Sequence, residues 1–185
     1  NTGVRNKFWH KNCVAIGLSS GFIEPLESTA IHLIQSGIAR LMSLFPNKAM
    51  DKVLADKYNQ QAMDEMEQIR DFIILHYHAT ERDDSAFWNY CRTMEIPESL
   101  VRKLALFKQQ GRIFRDNEEL FNQTSWLSVM LGQGIEPEQY HPLANSIPED
   151  ELIRRMDNIE SVIQQSVAQM PTQTEFLQKI LHPKT

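Results

Sequence analysis

Two carboxylates stand three residues apart in Glu24-Pro25-Leu26-Glu27, just after a turn of small residues, Leu18-Ser19-Ser20-Gly21. Like charges held close raise each other's energy, so such a pair needs a reason. Immediately downstream, Ser28, Thr29 and Ala30 open an apolar stretch of helical spacing. The free amides at a helix start form an anion site. A Gly/Ser turn, paired acids and a helix start thus fall within a dozen residues, and that combination suits an anion or a cofactor. Other chemistry-bearing residues do not assemble. Ser19, Ser20 and Ser28 lack the Gly-x-Ser-x-Gly surround of an activated nucleophile. His76-Tyr77-His78 sits in a helical pattern, where alternate positions point to different faces, and no cysteine or carboxylate lies at ligand spacing. No metal site is expected.

The elements that must position these residues follow from the pattern. Cys13-Val14-Ala15-Ile16 is a short apolar run closed by Gly17, which predicts a buried strand. Gly21 is expected to supply the backbone freedom of the turn. Pro25, Glu27, Ser28 and Thr29 are residues that start and cap helices. From Ala30, Ile31, Ile34, Ile38, Leu41, Met42 and Phe45 recur at helical spacing until Pro46. The remainder reads as helix after helix. Lys48 to His78, with Met50, Val53, Tyr58, Met66, Ile69 and Phe72, makes one long helix or two broken near Asn59. Shorter helices follow Ser85 and Pro97. Two more, around Glu118-Leu120-Phe121 and from Thr124 to Leu131, end at Gly132-Gln133-Gly134. An amphipathic helix from Glu149 to Gln169 and a short one capped by Pro171-Thr-Gln-Thr174 complete the chain. Phe87, Trp88, Trp126 and the methionines are expected in the core, and Asp83-Asp84 and Glu118-Glu119 at solvent or at helix caps.

Composition narrows the function classes. The 185 residues suffice for a domain with a real core, and 42% hydrophobic with 23% charged residues is an ordinary globular balance. A net charge of −5 argues against a nucleic-acid surface. No apolar run approaches the roughly 20 residues of a membrane helix. Cys13 and Cys91 read as core thiols, which fits a cytoplasmic protein. The predicted strand at Cys13 has no evident partner strand in the sequence, so the chain is expected to be a C-terminal piece of a larger domain whose sheet covers it.

The segment Gly21-Phe-Ile-Glu-Pro-Leu-Glu-Ser-Thr29, preceded by Val14-Ala-Ile-Gly-Leu-Ser-Ser20, resembles the signature of the flavin-dependent tryptophan halogenases. The likeness continues through Ile69-Arg-Asp-Phe-Ile-Ile-Leu-His-Tyr77, Arg82-Asp-Asp-Ser85, Phe87-Trp88 and Ser125-Trp126 to Gly132-Gln-Gly134. It implies a mainly α chain: a strand–turn–helix remnant of an α/β flavin-binding domain, residues 1–46, followed by a helical substrate-binding domain, residues 47–185. It implies an oxidoreductase that uses reduced FAD, delivered by a flavin reductase, with dioxygen and chloride or bromide, to halogenate tryptophan or an indole-like aromatic. By the same resemblance Glu27 is the catalytic, substrate-contacting glutamate, Thr29 and Ala30 hold the halide through backbone amides, and Leu18 and Ile31 contact the flavin. Phe121 and Trp126 fall in the substrate region.

Three family features are absent from these residues: a Gly-x-Gly-x-x-Gly fingerprint, the Trp-x-Trp-x-Ile-Pro motif and the relay lysine. In the family they belong to the N-terminal flavin domain, so this chain alone is expected to be inactive. Two other readings stay open: a stand-alone helical interaction module that lost catalysis, and a related flavin monooxygenase that hydroxylates.

Overall fold

The computed structural model describes residues 2–48 and 51–181. Met50, counted above in the long helical pattern, lies outside them. The chain is mainly helical and divides into two compact units, Asn1–Tyr140 and His141–Thr185.

The first unit opens with two short antiparallel pairings. Strand β1 (Gly3–Val4) pairs with β4 (Gly21–Phe22), and β2 (Trp9–His10) with β3 (Cys13–Val14). The strand at Cys13 therefore has its partner four residues upstream, and it is not buried. Cys13 is exposed while Cys91 is buried, so only the second thiol belongs to the core. The sheet expectation failed because the turn Lys11-Asn12 folds the preceding aromatic residues back onto the strand, with Lys11 at φ 56°. Gly21 does not adopt a left-handed conformation. Its value is space, since a Cβ there would sit 2.7 Å from Met66 Cε and 2.9 Å from the Gly3 carbonyl. The left-handed turn residue is Gly17, at φ 65°.

Helix α1 (Ala30–Ser43) lies against α2 (Lys52–His78), which runs unbroken through Asn59. Asn59 is what ties the hairpin down. Its Oδ1 accepts from the Phe8 and Trp9 amides, both at 2.7 Å, and its Nδ2 donates to the Trp9 carbonyl at 2.9 Å. Phe8, Trp9, Tyr58, Ala62 and Met66 form one buried cluster, against which pack Leu33 and Leu41 of α1 and Leu44 just past its end. The predicted α1 stripe is thus mostly on the other side: Ile31, Ile34, Ile38, Met42 and Phe45 are exposed. Glu65 on α2 joins the helices by accepting from His32 Nε2 at 3.0 Å, Ser36 Oγ at 2.9 Å and Arg40 Nη2 at 2.7 Å.

The other end of α2 packs with α3 (Ala86–Thr93), α4 (Glu98–Gln110) and α5 (Gln123–Gly132). Phe72, Leu75, Leu100, Phe107, Trp126 and Met130 form this second cluster. Trp126 is core as expected, whereas Phe87 is exposed and Trp88 only half-buried. Glu118-Leu120-Phe121 is not helical. The reason is Glu119, which is buried: its carboxylate accepts from Lys103 Nζ at 2.9 Å and Trp126 Nε1 at 3.2 Å. A side chain turned inward to α4 and α5 fixes an extended path in place of a helical turn.

In the second unit, α6 (Glu149–Gln169) and α7 (Gln173–Leu181) form as the pattern predicts. Thr172 and Glu175 cap α7 reciprocally: the Thr172 amide donates to Glu175 Oε2 at 2.8 Å and the Glu175 amide to Thr172 Oγ1 at 3.3 Å. The Thr172 hydroxyl, which donates to Glu175 Oε2 at 2.8 Å, and the Thr172 amide hold the Glu175 carboxyl below its ordinary range.

Candidate functional site

The segment Glu24–Ala30 is built differently from a capped helix. A single 3-10 turn, Leu26–Ser28, precedes α1, and no side chain caps the helix. Within that turn Glu27 stands at φ 63° and Ser28 at φ 53°, two successive left-handed residues that are not glycine. Each costs of order 1–3 kcal/mol, and such residues cluster where a site over-determines the backbone. Thr29 is buried and Ala30 begins α1. The caps expected of Ser28 and Thr29 do not form because the backbone reverses here instead of entering a helix.

The two carboxylates are served by neighbouring residues of α2. Tyr77 donates its hydroxyl to Glu24 Oε2 at 2.9 Å, and that bond pushes the Tyr77 phenol above its usual range. His76 Nε2 lies 3.3 Å from Glu27 Oε1. Separate partners on adjacent residues answer the question that paired acids raise. Among the described residues Glu24 Oε1 finds no hydrogen-bond partner, although it is buried. It belongs to the wall of a small cavity of about 30 Å³ under the turn, shared with Leu18, Phe22, Thr29, Ala30 and Ile34.

Glu27 lines a separate cleft of about 420 Å³, shared with Phe72, Phe121, Asn122, Ser125 and Ser128. Phe72 and Phe121 stack at 3.9 Å between centroids, and Phe72 meets the Trp126 ring edge-to-face at 4.9 Å. Asn122, whose Oδ1 accepts from the Ser125 amide at 2.9 Å, sets the start of α5 and so the hydroxyls along the cleft. A carboxylate beside an aromatic wall can stabilise positive charge on a flat ring and take a proton from it.

Leu18 and Ile31 are exposed, at 75% and 69%, flanking the turn and the first residue of α1. The structure brings Glu27, Thr29 and Ala30 together and leaves these two apolar side chains open beside them. His76 shows in the sequence only as part of a metal-like His-Tyr-His pattern, and Asn122 and Ser128 carry no signal there. Ser19 and Ser20 bond within their own turn, to the Ile16 and Gly17 carbonyls at 2.8 and 2.6 Å. His78 faces away from His76, with Nδ1 3.1 Å from the Cys91 carbonyl. Among the described residues no helix is long and apolar enough to cross a membrane.

A family model described as tryptophan halogenase matches residues 1–149. Among solved structures, Xcc4156, a flavin-dependent halogenase from Xanthomonas campestris, is 49% identical with a TM-score of 0.89, over 95% of this chain and 36% of that one. BrvH, a flavin-dependent halogenase from Brevundimonas sp. BAL3, is 44% identical with a TM-score of 0.90, over the same shares. The tryptophan 6-halogenase SttH of Streptomyces toxytricini is 36% identical over 138 residues, which are 71% of this chain and 26% of that protein. The chain thus spans about a third or less of the length of these relatives.

Proposed function

Since the chain belongs to the tryptophan halogenase family, we propose that it supplies the active-site turn and the substrate wall of a cytoplasmic FAD-dependent halogenase acting on an indole-like aromatic ring. The observation that carries this reading is the strained turn itself. It sets Glu27 at the edge of an aromatic-walled cleft while Thr29 and Ala30, two residues on, present a helix start.

Each residue then has a task. The amides of Thr29 and Ala30 hold chloride or bromide, the natural ligand of a helix start. Because backbone does this work, an alanine serves at residue 30. Leu18 and Ile31, apolar and exposed, suit contact with a flavin ring. When bound, reduced FAD with dioxygen supplies the two-electron oxidation of the halide. The ring lies against Phe121, which Phe72 backs from within the core, and Glu27 stabilises the cation formed as the halogen adds to a ring carbon. Glu27 then takes the proton from that carbon, and the C–H electron pair restores the aromatic ring. Residues 1–46 are the share belonging to the flavin-binding part and residues 47–185 the substrate part. The dinucleotide fingerprint, the relay lysine and docking of a flavin reductase fall to residues outside this chain.

The test is product analysis. The native polypeptide carrying these residues, given flavin reductase, FAD and bromide, is expected to brominate an indole probe, and Glu27→Gln to abolish this. An oxygenated product formed without halide would favour the hydroxylase reading, and loss of all chemistry would favour the interaction module.

A further inference from the structure

His76 has a role beyond packing. Its Nδ1 lies 2.8 Å from the Phe72 carbonyl, an acceptor with no proton to give, so Nδ1 carries hydrogen. Its Nε2 lies 3.3 Å from Glu27 Oε1, within ion-pair distance. One ring nitrogen is thus held by the backbone of α2 while the other reaches the turn. The ring is itself fixed, edge-to-face on Phe72 at 4.8 Å between centroids. Among the described residues no other acid or base stands within ion-pair distance of His76.

We propose that His76, its ring fixed on α2 by the Phe72 carbonyl, is the positioning partner of Glu27, holding its carboxylate at the cleft through the 3.3 Å approach of His76 Nε2 to Glu27 Oε1. This rests on the reading of Glu27 given above. Stability alone does not account for the pair. The Glu27 side chain is 38% exposed, and an ion pair of that exposure contributes about 0–1 kcal/mol. The left-handed backbone at Glu27 and Ser28 costs more than that. A histidine clamped on one nitrogen and turned to the acid with the other is a means of holding a reactive carboxylate still, and errors of about 1 Å in such placement cost about 10²-fold in rate.

Two measurements test it. Ring-nitrogen NMR on this chain reads the pair without any activity: Glu27→Gln is expected to move the His76 Nε2 resonance and leave Nδ1 in place. Kinetics on the native polypeptide, with bromide and an indole probe, read the consequence. His76→Leu should lower kcat about 10²-fold with KM nearly unchanged. His76→Gln, whose amide can still donate to Glu27, should recover much of the loss. An Nε2 resonance indifferent to Glu27→Gln overturns the pair. Wild-type kcat in His76→Leu, where Glu27→Gln is dead, overturns His76 alone and leaves the halogenase reading standing. Full activity in Glu27→Gln overturns both.

Discussion

At the scale of residues, the site depends on how two acids are kept apart. Glu24 takes the Tyr77 hydroxyl and Glu27 faces His76, so adjacent residues on α2 separate charges that the chain places side by side. If Glu27 takes the ring proton, Glu27→Gln should lower kcat by about 10²-fold or more while the urea midpoint of unfolding stays within error. An alkaline effect belongs to the same scale. The Glu24 bond raises Tyr77, and burial raises Tyr58. The unfolded phenols lose their protons near pH 10, before the folded ones. The stabilisation is therefore whole below that pH and is lost as pH rises through the folded values. Thermal unfolding of Tyr58→Phe and Tyr77→Phe variants should show a shallower fall in Tm above pH 10 than the parent. The acids and the helix start were legible in the sequence because they are contiguous. His76 was not, because its partner lies 49 positions earlier and only the reversal at Glu27 and Ser28 brings them together.

Elements carry the site through a few contacts between distant residues. The β2–β3 hairpin rests on α2, and Asn59 binds the two. Removing its three hydrogen bonds leaves two amide donors of a part-buried strand without partners. Asn59→Ala should therefore cost about 2–4 kcal/mol, measured by urea unfolding, and should loosen the hairpin. Helix existence was readable throughout from period and punctuation. Which face of α1 is inside was not, since α1 is apolar on two sides and Leu33, Leu41 and Leu44, not the isoleucine stripe, meet α2. Glu119 misled for a similar reason. Next to Glu118 it reads as a solvated acid, and only Lys103 and Trp126, from two other helices, make it a core residue. The hairpin partner of Cys13 was missed because a two-residue strand has too few positions to show alternation.

For the whole molecule, the family assignment distributes the chemistry. The share of the relatives that this chain covers holds the turn, the helix start and the aromatic cleft, and it has no dinucleotide fingerprint. This chain by itself should accordingly show no saturable FAD binding by flavin fluorescence quenching, and tight binding would overturn that division of labour. The most direct test of the central claim is mass spectrometry of the products made by the native polypeptide from an indole probe with reduced FAD, dioxygen and bromide. The expected result is a brominated product that requires bromide and vanishes in Glu27→Gln. A product that gains oxygen instead, at a rate indifferent to bromide, would contradict it.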